Sequence, residues 1–61
     1  MVKYISKGEW FDKGTEAILI DDYGYNAQFN NRVGLFEGIR NGKLDEEVCE
    51  VKEFEMWNGN L

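Results

Sequence analysis

Apolar and polar positions alternate most regularly over residues 32–40, where Val33, Leu35 and Ile39 recur on one face and Gly34, Phe36 and Gly38 fall on the other. A period of two is the spacing of a half-buried strand. Glycine weakens a strand interior, so two of them point to strong bending, a bulge or a close approach of another part of the chain. This stretch is therefore expected to be the central strand of a small, tightly curled sheet. Asn41-Gly42 follows it at once. A type I′ turn needs positive φ at both central residues, and Asn-Gly supplies that at least cost. A hairpin is predicted, with the chain returning along residues 46–51.

The remaining pattern is read around that hairpin. Residues 2–6 form a first strand, with Val2 and Tyr4 on one face and Ile5 on the other. The sequence Asp12-Lys13-Gly14-Thr15 suits a type I turn closed by a residue at positive φ. Of the adjacent aromatics Trp10 and Phe11, at least one must be buried beside that turn. The unbroken run Ala17-Ile18-Leu19-Ile20 predicts a strand buried on both faces, ended by Asp21-Asp22. Residues 23–31 lack a period and are rich in turn formers, which predicts a loop or an elaborated hairpin tip.

Residues 44–59 admit two readings. As a helix they have Leu44, Val48 and Val51 at helical spacing, Asp45 as N-cap and Gly59 at the C-terminal cap, although Glu55 interrupts the apolar face. As strands they alternate Cys49 and Val51, then Phe54 and Met56, with acids. Val48, Cys49 and Val51 are poor helix formers and the hairpin needs a return partner, which favours strands. The preferred order is a strand over 46–51, one helical turn over 52–54 and a last strand over 55–57. The fold class is thus all-β, a five-stranded barrel or strongly curled antiparallel sheet with one short helical turn near Phe54. The alternative is α+β, a three- or four-stranded sheet with a C-terminal helix over residues 45–58.

Composition narrows the function more than it identifies it. The 61 residues provide one domain, 1–61, and one small core. A chain this short buries only about 60% of its unfolded surface. With a single Cys49 and no His, the stabilisation must come from aromatic packing rather than a disulfide or the commonest metal ligand. Twelve acids against seven bases give a net charge of −5, which opposes direct nucleic-acid binding. No segment has the length and apolarity of a signal peptide or a membrane span, and with one unpaired thiol this predicts a cytoplasmic protein.

Catalytic chemistry is hard to assemble from these residues. No His is present to act as a base, and no glycine loop of the phosphate-cradling kind occurs. Cys49 lies among Glu46, Glu47 and Glu50, whose charge disfavours a thiolate. Asp21-Asp22 lacks the companions of a calcium loop. Neither catalytic residues nor a metal or cofactor site is expected. The candidates for recognition are the aromatics Trp10, Tyr23, Tyr25 and Phe29, assigned to loops, where binding residues concentrate. A second candidate is the acidic run Asp45, Glu46, Glu47, Glu50, Glu53 and Glu55, six acids in eleven residues.

The order of these segments resembles the small SH3-like barrels of bacterial and phage proteins. The similarity rests on residues 14–20 as a strand, a loop, the glycine-punctuated strand Val33-Gly34-Leu35-Phe36-Glu37-Gly38, the return strand Glu47-Val48-Cys49-Glu50-Val51, and a one-turn element ending at Phe54 before a closing strand. It implies an architecture and leaves the activity open. Asp21-Asp22-Tyr23-Gly24-Tyr25 is similar to the acidic, tyrosine-bearing loop of peptide-binding SH3 domains, but no Trp pair follows a second loop and the chain has no Pro. Their groove residues therefore do not carry over. The expected function is a small acidic protein-interaction module without catalytic activity, such as an accessory protein of a phage or mobile element, recognising a protein partner. The alternative is an acidic inhibitor that mimics nucleic acid and blocks a nucleic-acid-binding protein. A homodimer through an open sheet edge is a third use of the fold.

Overall fold

The computed structural model describes residues 2–58, the last two as backbone alone. It is all-β: β1 (Val2–Ser6), β2 (Glu16–Asn26), β3 (Asn31–Arg40), β4 (Lys43–Glu50), a one-turn 3-10 helix (Val51–Glu53) and β5 (Phe54–Asn58). The strands pair antiparallel in the order β4-β3-β2-β1-β5, so β3, β2 and β1 are interior and the sheet curls without closing. Residues 45–58 thus take the strand–turn–strand course, and a C-terminal helix is absent from the described residues. The segment boundaries move slightly. The helical turn begins one residue earlier than expected, at Val51, and β5 begins at Phe54.

The core is a cluster of rings. Phe11, Ala17, Phe36, Cys49 and Phe54 are buried, with Tyr4, Leu19 and Val51 packed against them. Phe36 and Phe54 have centroids 4.4 Å apart, and Tyr4 meets Phe36 edge-on at 5.1 Å. Such contacts supply the burial that a 61-residue chain cannot draw from disulfides.

The face of β3 carrying Gly34, Phe36 and Gly38 is buried at all three positions, whereas on the other face Val33 is buried and Leu35 and Ile39 are half-buried. The glycines are there because other side chains lie where their Cβ atoms would be. A Cβ on Gly38 would stand 2.9 Å from the Phe11 ring, and one on Gly34 would stand 2.6 Å from Leu19 Cδ1. Close approach, one of the three explanations the sequence allowed, is the operative one.

Two readings of β2 are corrected. It is buried on one face only: Ala17 is 2% exposed, but Ile18 and Ile20 are 58% and 50% exposed. Nor do Asp21-Asp22 end it, because the strand continues to Asn26 and leaves only residues 27–30 as a turn. The first departure is plain alternation, with Ala17 inward and Ile18 outward; two bulges account for the second. The pairing with β3 slips between Leu19 and Asp21 and again between Asp22 and Gly24, so Ile20 and Tyr23 have no partner across the ladder. At the second bulge Asp22 Oδ1 accepts the Gly24 N–H at 2.8 Å, and Gly24 takes φ +80°. A bulge turns side chains over locally and destroys the period by which a strand is recognised.

The predicted turns form as expected. Asn41 and Gly42 have φ of 53° and 76° at the β3–β4 hairpin. Gly14 has φ 84°, and Thr15 N–H donates to Asp12 O at 3.1 Å.

Candidate functional site

The loop between β1 and β2 is built to separate its two aromatics. The Ser6 hydroxyl donates to Phe11 O at 2.8 Å and accepts the Gly8 N–H at 3.0 Å, so the loop folds back over the end of β1. Asp12 N–H donates to Ile39 O at 2.7 Å, and its carboxylate accepts Asn41 N–H and Gly42 N–H, each at 2.9 Å. With Phe11 sunk against Gly38 and Asp12 tied to the hairpin, Trp10 is turned to the surface, 41% exposed.

There Trp10 forms one wall of a groove of about 250 Å³ lined by Phe29, Val33, Val48, Glu50 and Glu53. Phe29 comes from the β2–β3 turn and is half exposed; Val48 and Glu50 come from β4, and Glu53 from the 3-10 turn. An apolar groove with two carboxylates at its edge can take an apolar side chain and a cation together. Among the described residues Glu50 has one partner, Lys52, whose Nζ stands 3.2 Å from Oε1. That oxygen is sealed from solvent, yet no donor is aimed at it along a hydrogen-bond direction. The ion pair supplies charge without a bond.

Of the four aromatics singled out from sequence, the structure brings Trp10 and Phe29 together. Tyr25 stands apart on β2, more than half exposed, its hydroxyl donating to Asn30 Oδ1. Tyr23 is exposed at the second bulge. Neither tyrosine lies in a loop, as had been expected; both are strand residues. Val33 and Val48, which also line the groove, carried no functional signal in the sequence, because an alternating valine reads as packing.

The six acids do not form one stripe. Alternation along β4 puts Asp45 and Glu47 on one face, where Arg40 lies 3.7 and 3.0 Å from them. Glu46 is on the opposite face, directly across from Glu37 of β3. Glu50 and Glu53 border the groove, and Glu55 is on β5, at the far end of the strand order from β4.

Cys49 is buried, with a thiol pushed up to about 11, first by burial and then by the charges of Glu47 and Glu50. It is held as the neutral, unreactive form. Among the described residues no cluster of His, Cys, Asp or Glu is arranged to hold a metal ion, and no helix is long and apolar enough to cross a membrane. Comparison with protein families, curated proteins and solved structures finds no match to this chain.

Proposed function

We propose that the protein is a small interaction module whose groove between Trp10 and Phe29 receives a segment of a partner protein, an apolar side chain followed or preceded by Lys or Arg. The observation that carries this reading is the groove itself. Two large exposed aromatics from separate loops converge over Val48, with Glu50 and Glu53 beside them. Aromatic anchors with a charged rim are the composition of binding hot spots. The net charge of −5 favours a basic partner at long range. The element order, with a long hairpin, an Asn-Gly hairpin, a 3-10 turn and a closing strand, supports assigning the architecture to the SH3-like group. A cytoplasmic location fits a lone reduced thiol. The nucleic-acid mimic draws less support, because its six acids face in several directions.

The test is chemical-shift mapping with short peptides that pair Leu or Phe with Arg, and with versions in which Glu replaces Arg. Shifts confined to Trp10, Phe29, Val48, Glu50 and Glu53, seen with the basic peptides alone and weakened by salt, are expected. Trp10→Ala should weaken binding by about tenfold or more, the scale of a hot-spot residue. Scattered shifts, or binding indifferent to Trp10→Ala, would overturn the reading.

A further inference from the structure

The best-defined polar contact away from the groove joins segments far apart in sequence. Both carboxylate oxygens of Asp12 are used: Oδ1 accepts the N–H of Asn41 and Oδ2 the N–H of Gly42, each at 2.9 Å. Phe11 beside it is buried against Gly38, and the Asp12 N–H is bonded to Ile39 O, so the carboxylate is positioned by a rigid neighbour. The two residues it holds form the Asn-Gly dipeptide at the hairpin tip. Asn-Gly is the sequence most open to cyclisation, since glycine offers no side chain to obstruct attack by its own nitrogen.

That chemistry balances simply. The Gly42 nitrogen yields its proton to solvent base and bonds to Asn41 Cγ. The Cγ–N bond of the side-chain amide breaks, and ammonia leaves with a proton. Water then opens the succinimide at either carbonyl, leaving aspartate or isoaspartate at position 41. Nothing is oxidised or reduced.

We infer that position 41 is a deamidation site held closed by Asp12, and that it reacts only when the Asp12 contact opens. The proton that must leave Gly42 is the one donated to Oδ2, and a carboxylate beside that nitrogen disfavours its anionic form. The nitrogen must also swing away from Asp12 toward Cγ, which the neighbouring bond from Asn41 N–H resists. Asn41 is exposed, so solvent base and water reach it without hindrance. A carboxylate newly formed at 41 lies next to Asp12 and repels it, which weakens the contact between the β1–β2 loop and the hairpin tip.

Peptide mapping by mass spectrometry, following the amide-to-acid change at Asn41 during incubation at neutral pH, tests this. The folded wild type should react about tenfold or more slowly than the same chain in denaturing urea, the scale of two charge-assisted hydrogen bonds. Asp12→Ala should bring the folded rate toward the denatured one. Leu19→Ala, which lowers stability from the Gly34 end of β3, should leave it near wild type. Asn58-Gly59, the other such pair in the chain, is the reference whose rate Asp12→Ala should not change. If Asp12→Ala does not fold, Asp12→Asn, which keeps the shape and loses the charge, takes its place and should also react faster than wild type. Equal rates in folded and denatured wild type, or a folded Asp12 variant no faster than wild type, would overturn the inference.

Discussion

Gly38 shows how one residue fixes the placement of a loop. Its missing Cβ is the space in which the Phe11 ring rests, so Gly38→Ala drives a methyl into a buried aromatic at 2.9–3.1 Å. A cost of about 1–3 kcal/mol is expected, the range of overpacking in a close-packed core. Phe11→Leu should recover part of that loss in the double variant, and urea unfolding of the four proteins would read the coupling. Additive effects would mean that the ring is not the obstacle. At Gly24 the reasoning differs, because nothing lies within 4 Å of its Cβ position and only its φ of +80° opposes a side chain. Asp12 is the second residue with a measurable signature. Hydrogen bonds from Gly42 N–H, then Asn41 N–H, hold its carboxyl below the 3.8 of an ordinary aspartate. A carboxyl depressed in the folded state stabilises above its unfolded pKa, and that contribution is lost as pH falls through 3.8 toward the lower folded value. Asp22, held by the Gly24 N–H and by Arg32, acts in the same direction. The difference in unfolding midpoint between wild type and Asp12→Asn should therefore be constant near neutrality and shrink below about pH 4. A gap that stays constant down to strongly acid pH would separate Asp12 from the acid response.

At the scale of elements, what could be read in advance follows from whether a local rule acted alone. Asn41-Gly42 and the Asp12–Thr15 turn were legible because positive φ is a property of the residues themselves. The strand–turn–strand course of the last segment was legible because β-branched residues and a required hairpin partner pointed the same way. β2 was misread because its outward residues Ile18 and Ile20 are apolar, which imitates a strand buried on both faces, and because the bulges at Ile20 and Tyr23 break the period beyond them into an apparent loop. The signal that could have found the second bulge was Asp22-Tyr23-Gly24, an Asp two residues before a Gly able to take positive φ. The buried face of β3 was obscured for a related reason. Gly34 and Gly38 do not count as apolar in a pattern, yet they mark the face on which Leu19 and Phe11 pack. Half of the groove was visible as exposed aromatics. Glu50 and Glu53 were visible too, as part of the acidic run, but Val33 and Val48 were not, and the meeting of all six depends on β4 and the 3-10 turn lying beside two loops, which no local pattern encodes.

On the scale of the whole molecule, the distribution of charge decides what the open sheet can do. β4 and β5 end the strand order, and an unpaired edge invites another strand. A second copy is an ill-suited guest for β4. The strand carries Asp45, Glu46, Glu47 and Glu50 against Lys43, and any antiparallel self-pairing that spans more than half of it sets an acid opposite an acid. Like charges directly across a ladder destabilise it. The β3–β4 ladder already bears one such pair, Glu37 across from Glu46, which adds to the repulsion on that face. Self-association through β4 should accordingly be absent at low salt and promoted by added salt, since screening shortens the reach of the charges to about 3 Å at 1 M. Sedimentation velocity at two protein concentrations, each at low and high salt, would show it. Replacing Glu46 and Glu47 by Lys leaves the edge with mixed signs and should permit pairing that the natural strand resists. A wild-type dimer that forms at low salt and dissociates as salt is added would require attraction where β4 offers repulsion, and would place the contact elsewhere on the molecule.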